Sequence, residues 1–155
     1  MKKILFVCHG NICRSTMAEF VFSDMVKRRN FSDRFFVDSA ATSTEELGNP
    51  PHRGTLQKLR REGIPTYPHH ARQMTRRDYQ EYDLLIGMDM WNRRNMTRIA
   101  GGDPDGKIFL LLEFAGSSRD IADPWYTDNF DETYRDVVEG CEGLIEYLLN
   151  ENRSR

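Results

Sequence analysis

The chain has 155 residues, 39% of them apolar and 11% aromatic, which is enough for one hydrophobic core and too short to divide into two well-buried ones. Its 22 basic and 24 acidic side chains leave a formal net charge of −2, so no global field draws it onto nucleic acid or an anionic membrane, and any anion site has to be local. Cys8, Cys13 and Cys141 are an odd number at spacings that suit neither a disulfide framework nor a zinc site, so reduced thiols and a cytoplasmic protein are expected.

Lys2 to Val7 reads as a short, nearly continuous apolar strand, the pattern of a strand buried on both faces of a parallel sheet. Cys8, His9 and Asn11 cut this run off far short of a signal-peptide core or a membrane span. CHGNICRS follows as a loop. Ser15 is then expected to cap a helix that carries Glu19 early and places Ala18, Val21, Phe22 and Met25 at helical spacing. Arg34 to Ala40 is a second strand, and Thr42 to Pro51 a loop long enough to be functional. A helix from about His52 to Glu62 closes at Gly63, and a short one spans about Thr75 to Tyr82. Leu84 to Met88 and Lys107 to Leu112 are the third and fourth strands, separated by a helix over Met90 to Ala100 that stops at Gly101. Asp123 to Asn129 reads as a loop, and a last helix runs from about Phe130 to Glu151 with Val137, Cys141, Leu144, Ile145 and Leu148 on one face, leaving a short tail.

Strands alternating with helices imply an α/β domain with a parallel sheet covered on both faces. Ligands of such sheets sit beyond the carboxyl ends of the strands, where CHGNICRS, the Thr42 loop and the Asp123 loop would meet.

A cysteine with an arginine six residues on is a weak signal alone; its setting between a strand and a helix gives it weight. Successive amides and the positive end of the following helix surround one point, a nest for an oxyanion. Gly10 and Asn11 both tolerate the left-handed dihedrals of a tight loop. A thiol starting near pKa ~8.5 ionises readily beside such amides and the Arg14 charge, which makes Cys8 a nucleophile. Arg14 offers a planar fork for two phosphoryl oxygens, and Ser15 can donate its hydroxyl to the sulfur. Core packing would not ask for Gly, Asn, Arg and Ser directly after a buried cysteine. A metal reading of Cys8, His9 and Cys13 fails for want of a fourth ligand and because Arg14 would repel the cation.

Together CHGNICRS, VDSAAT, HHARQ, MDMWNRRN and ADPWY, in that order over nearly the whole chain, resemble the low-molecular-weight protein tyrosine phosphatases. The resemblance implies one domain over residues 1–155, with a flavodoxin-like four-stranded parallel sheet, and a mechanism without metal or other cofactor. It makes His9, Gly10, Asn11, Ile12, Cys13, Arg14 and Ser15 the phosphate-binding loop and Asp123 the general acid and base. Asn11, Ser39 and His69 resemble the hydrogen-bonding set that holds this loop. Asp89 matches an acidic position that steadies Arg14, with a helix N-cap before Met90 an equally good reading. Trp125 and Tyr126, with Thr44 opposite, correspond to the walls beside a bound aryl ring, and Cys13 to a cysteine that traps an oxidised nucleophile as a reversible disulfide. The implied partners are a phosphotyrosine protein or peptide and inorganic phosphate as product and inhibitor, with no nucleic acid and no membrane insertion.

Thr16 stands where the family often has proline, and Thr44, Glu45 and Glu46 where many members carry an aromatic. The resulting acidic rim disfavours acidic sequence around the phosphotyrosine. Among rivals, phosphoarginine phosphatases of the same family carry threonine where Ile12 stands. Arsenate reductases of this fold need cysteines that the stretch between Cys13 and Cys141 lacks. A cysteine phosphocarrier has no use for an acid such as Asp123.

Overall fold

The computed structural model describes residues 1–153. Strands β1 (Lys2–Cys8), β2 (Phe35–Ala41), β3 (Leu84–Gly87) and β4 (Ile108–Leu110) form one sheet in the order β2-β1-β3-β4. Every pair is parallel, with Ile4 beside both Val37 and Leu84, and Leu85 beside Ile108. The chain leaves β1 toward one edge and returns on the other side, so the topological switch point lies between β1 and β3, beyond Cys8 and Gly87.

The period of two along β1 divides the core. Ile4, Phe6 and Cys8 face helices α1 (Arg14–Arg28) and α6 (Phe130–Arg153), packing with Phe20, Val137 and Cys141. Leu5 and Val7 face the other layer, α3 (Arg76–Glu81) and α4 (Met90–Ala100), with Tyr79 and Met96. The alternation therefore delivers the Cys8 side chain to the α1 side of the sheet end. Helix α2 (Arg53–Arg61) begins at an N-cap on His52, after the Thr42 loop.

Four elements depart from the sequence reading. Helix α1 begins at Arg14 with Cys13 as N-cap and no side-chain cap bond, because the Ser15 hydroxyl is engaged by other groups of the site. Residues Arg14 through Phe22 are buried all round, where an amphipathic helix was expected. Strand β4 stops at Leu110, and a 3-10 turn over Leu111–Ala115 follows, its start closed by Glu113 Oε1 accepting from Leu110 N at 2.7 Å. That turn presses on α6 where Gly140 and Gly143 leave room; a Cβ on Gly140 would lie 2.4 Å from Leu111 Cγ. The Asp123 segment holds a short helix, α5 (Pro124–Thr127), and α6 runs two residues beyond the expected Glu151, with 154–155 of the expected tail outside the described residues. No helix among the described residues is long and apolar enough to cross a membrane.

Candidate active site

The loop from β1 to α1 turns on Asn11, the one residue of the stretch in the left-handed region, with φ 60. Gly10 was the equal candidate but adopts no positive φ; a Cβ there would sit 3.3 Å from Glu46 Cγ, a tight contact that the Glu46 side chain would have to ease. The loop is stitched to its neighbours through the backbone: Thr42 N donates to Cys8 O (2.9 Å), Ser43 N to His9 O (3.0 Å) and His52 N to Ile12 O (2.7 Å). Cys8 is buried, with Sγ 3.4 Å from the Ser15 amide, at the first turn of α1, and 3.1 Å from its hydroxyl.

Beneath the loop lies a network of buried polar groups. Asn11 Nδ2 donates to Ser15 Oγ (2.8 Å) and to Ser39 Oγ (2.9 Å), and Ser39 donates to Glu19 Oε1 (2.5 Å). Tyr67 donates to the other Glu19 oxygen. Asn11 Oδ1 accepts from Arg72 N (3.3 Å) and lies 2.9 Å from His69 Nε2. The direction of these bonds is determined from the far end. An ionised Glu19 only accepts, so Ser39 gives it the hydroxyl proton and takes one amide hydrogen from Asn11. The second Asn11 hydrogen occupies a lone pair of Ser15, whose own proton is then free for a sulfur anion on Cys8. Burial pushes the Glu19 carboxyl up from its ordinary value, opposed by the hydrogen bonds from Ser39 and Tyr67 and by the nearby His69 ring.

Glu19, Asp38 and His69 also bring potential metal-ligand atoms within 4.8 Å of one another. Each carboxylate oxygen already accepts a hydrogen bond, Asp38 from Ser39 N (2.8 Å) and Arg72 Nε (3.3 Å) and Glu19 from Ser39 and Tyr67, and the Arg72 guanidinium brings a positive charge against Asp38. The cluster therefore braces the loop and is a poor cation site.

Arg14 is 2% exposed. Its Nη1 donates to Asp89 Oδ2 (2.6 Å) and to the Ile121 carbonyl (2.9 Å), and its Nη2 reaches Asp123 Oδ2 (3.4 Å). Its Nε is buried and bonded to no protein atom, which suits a guanidinium held from behind for an anion in front. Burial works against the charge, but Cys8, Asp89 and Asp123 outweigh it and raise the Arg14 pKa. Asp89 fulfils both readings of it, since its second oxygen caps α4 by accepting from Asn92 N (2.7 Å).

Asp123 is the N-cap of α5, with Oδ1 accepting from Trp125 N at 3.0 Å. Trp125 and Tyr126 stand 57% and 82% exposed at the mouth. The pocket takes Cys8, His9, Gly10, Ile12 and Cys13 from the first loop, Glu45 and Glu46 from the Thr42 loop, and Asp123, Trp125 and Tyr126 from the third. Thr44 is not among its lining residues; Glu45, bonded to His9 Nε2 at 2.9 Å, and Glu46 hold that side. Cys13 is a free, buried thiol pushed up to about 12, first by burial and then by the nearby Cys8 and Asp123 charges. Cys141 is free and fully buried in the core.

Sequence reasoning had brought Asn11, Ser39 and His69 together, and the network joins all three. It missed Glu19 and Tyr67. Glu19 had one usable signal: it lies four residues after Ser15, hence on the same face of α1, in a run of otherwise apolar helix.

A four-stranded parallel sheet with a thiol-bearing strand-to-helix loop at its switch point is the build of a small phosphatase. The chain belongs to the low molecular weight phosphotyrosine protein phosphatase family, whose sequence profile matches residues 3–154. It is 39% identical over 155 residues to the low molecular weight protein-tyrosine-phosphatase YfkJ of Bacillus subtilis, covering 99% of each chain. The crystal structure of that protein superposes with a TM-score of 0.94 over 97% of this chain and 96% of the other. SP-PTP, the low molecular weight protein tyrosine phosphatase of Streptococcus pyogenes, is 42% identical with a TM-score of 0.86 over 96% and 93%. The Drosophila arginine phosphatase DARP is 31% identical with a TM-score of 0.86 over 96% and 98%.

Proposed function

We propose that the protein hydrolyses phosphotyrosine in proteins or peptides, and small aryl phosphates, through a phosphocysteine on Cys8. The observation that carries this reading is the convergence of two distant segments on one pocket: Cys8 at the end of β1 with Arg14 behind it, and Asp123 within 3.4 Å of the Arg14 guanidinium.

The phosphoryl group enters the ring of loop amides, and Arg14 supports its oxygens while Asp89 and Ile121 hold the guanidinium still. Cys8 Sγ attacks phosphorus as the bond to the aryl oxygen breaks, and protonated Asp123 gives its proton to the departing phenolate, a step in which a placed acid contributes roughly 10² to 10⁴. Asp123, now a carboxylate, takes a proton from water as that water attacks the phosphocysteine. The sulfur–phosphorus bond breaks, the Ser15 hydroxyl supports the returning thiolate, and inorganic phosphate departs. No step calls for a metal or another cofactor. Trp125 and Tyr126 offer ring faces to the tyrosine.

The test is turnover of phosphotyrosine, phosphoserine and phosphoarginine peptides side by side, with Cys8→Ser as control. Phosphotyrosine is expected to be hydrolysed fastest, the serine variant to be inactive, and phosphate to compete while a chelator has no effect. Fastest turnover of phosphoarginine would replace this reading with the activity in the name of the Drosophila relative; Ile12, which lines the pocket and offers no hydroxyl, speaks against it. Activity in the serine variant would end the phosphocysteine mechanism.

A further inference from the structure

His52 stands where three parts of the site meet. Its Nδ1 accepts from Gly54 N at 2.9 Å, which caps α2 and, in the neutral ring, places the proton on Nε2. Its backbone N–H donates to Ile12 O of the phosphate loop. Its ring lies on Phe130 (centroids 5.3 Å, planes 24° apart) and meets Trp125 edge-on (5.8 Å, 84°). Phe130 is fixed in turn: it packs on Ile12, Cys13 and Ala71, and a Cβ on Gly54 would lie 2.4 Å from its ring. The imidazole is thus anchored by its cap bond, its own backbone and a trapped phenyl ring.

Trp125 has no such set of anchors. It is half exposed, sits in a helix of four residues, and among the described residues its ring contact is the one to His52. Its N–H is what holds Asp123 Oδ1. We propose that His52 is a positioning residue for the proton donor: it braces Trp125 against the phosphate-loop side, so that the Trp125 amide keeps the Asp123 carboxyl turned toward the leaving oxygen. This rests on the reading of Asp123 as the acid. Without the ring the Asp123 carboxyl spends less time turned toward the leaving oxygen, and the acid-dependent rate falls in proportion to that time.

Two variants separate the ring from the cap. His52→Asn keeps an acceptor for Gly54 N and removes the ring; His52→Phe keeps a ring and removes the acceptor. The measurement is kcat/KM for phenyl phosphate, whose leaving group needs a proton, and for dinitrophenyl phosphate, whose leaving group does not. His52→Asn is expected to slow phenyl phosphate about tenfold and dinitrophenyl phosphate less than about twofold. In an Asp123→Ala background it should slow neither. His52→Phe should stay within about threefold of the parent on phenyl phosphate while melting at a lower temperature. Equal slowing of both substrates, no slowing of phenyl phosphate, or a remaining effect on it without the Asp123 carboxyl overturns the proposal. If Asp123→Ala alone leaves phenyl phosphate unaffected, the acid assignment fails, and this inference with it.

Discussion

Asn11 and Ser15 on the phosphate loop are wholly buried, and Asn11 is tied to partners from two distant segments, whereas Trp125 and Tyr126 across the pocket are mostly in water on a four-residue helix. One wall of the pocket is over-determined and the other lightly held. The phosphate loop needs a left-handed residue and a converging set of amides, a conformation that lasts only when surrounding bonds enforce it. In the proposed mechanism Asp123 must approach and leave a reacting oxygen, and segments that move are drawn from the least stable parts of a fold. Changes on the first wall should therefore cost stability and activity together, and changes on the second activity alone.

The largest combined effect is expected at Asn11. Asn11→Asp keeps the shape but exchanges two donors for acceptors, so Ser15 and Ser39 lose the hydrogens that orient them, and a new charge faces Glu19 through Ser39. A loss of about 2–4 kcal/mol in denaturant unfolding is expected, with kcat/KM for an aryl phosphate down by about 100-fold or more. Full stability in this variant would show that the buried network does not hold the loop.

Asp123→Ala is the matching break on the other wall. It removes a cap from a four-residue helix and a contact to Arg14 of 3.4 Å, so unfolding should change by less than about 1 kcal/mol. Turnover of phenyl phosphate should nonetheless fall by roughly 10² to 10⁴. A comparable fall in stability would erase the distinction between the walls.

The better-held wall was also the more legible. A strand, a cysteine, an Asn that accepts positive φ, an arginine and a helix follow one another within fifteen residues, so local rules carry the reading. What braces the loop comes from far along the chain. Asn11 and His69 are 58 residues apart, and Glu19 and Tyr67 48, distances at which composition and periodicity are silent and only the resemblance supplied His69. Asp89 left two readings open because a carboxylate has two oxygens, and it uses one for each. On the weaker wall, Asp123 to Asn129 was read as a loop, although an acceptor followed by Pro at the first helical position begins a short helix equally well. Strand β4 was read too long because its apolar run continues into the 3-10 turn, and nothing local marks where Gly140 and Gly143 let α6 approach that turn.

The smallest effect is expected at the rim, where charge acts through water. Glu45 and Glu46 line the pocket and no Lys does, Arg14 being buried behind it. A cationic residue beside the phosphotyrosine should gain about 0.3 kcal/mol from the two carboxylates together and an anionic one lose as much, so Arg-flanked peptides should exceed Glu-flanked ones by about threefold in kcat/KM. Glu45→Lys gives up only the exposed pair with His9, at little cost in stability, and should narrow or reverse that ratio. The ratio is the quantity to follow, since a lysine at the mouth also attracts the phosphate dianion that every substrate shares. Raising the salt should shrink the preference, because at about 0.15 M charges are screened within roughly 8 Å. A preference that survives high salt, or ignores Glu45→Lys, would move peptide selection away from this acidic edge and onto the exposed rings of Trp125 and Tyr126 opposite.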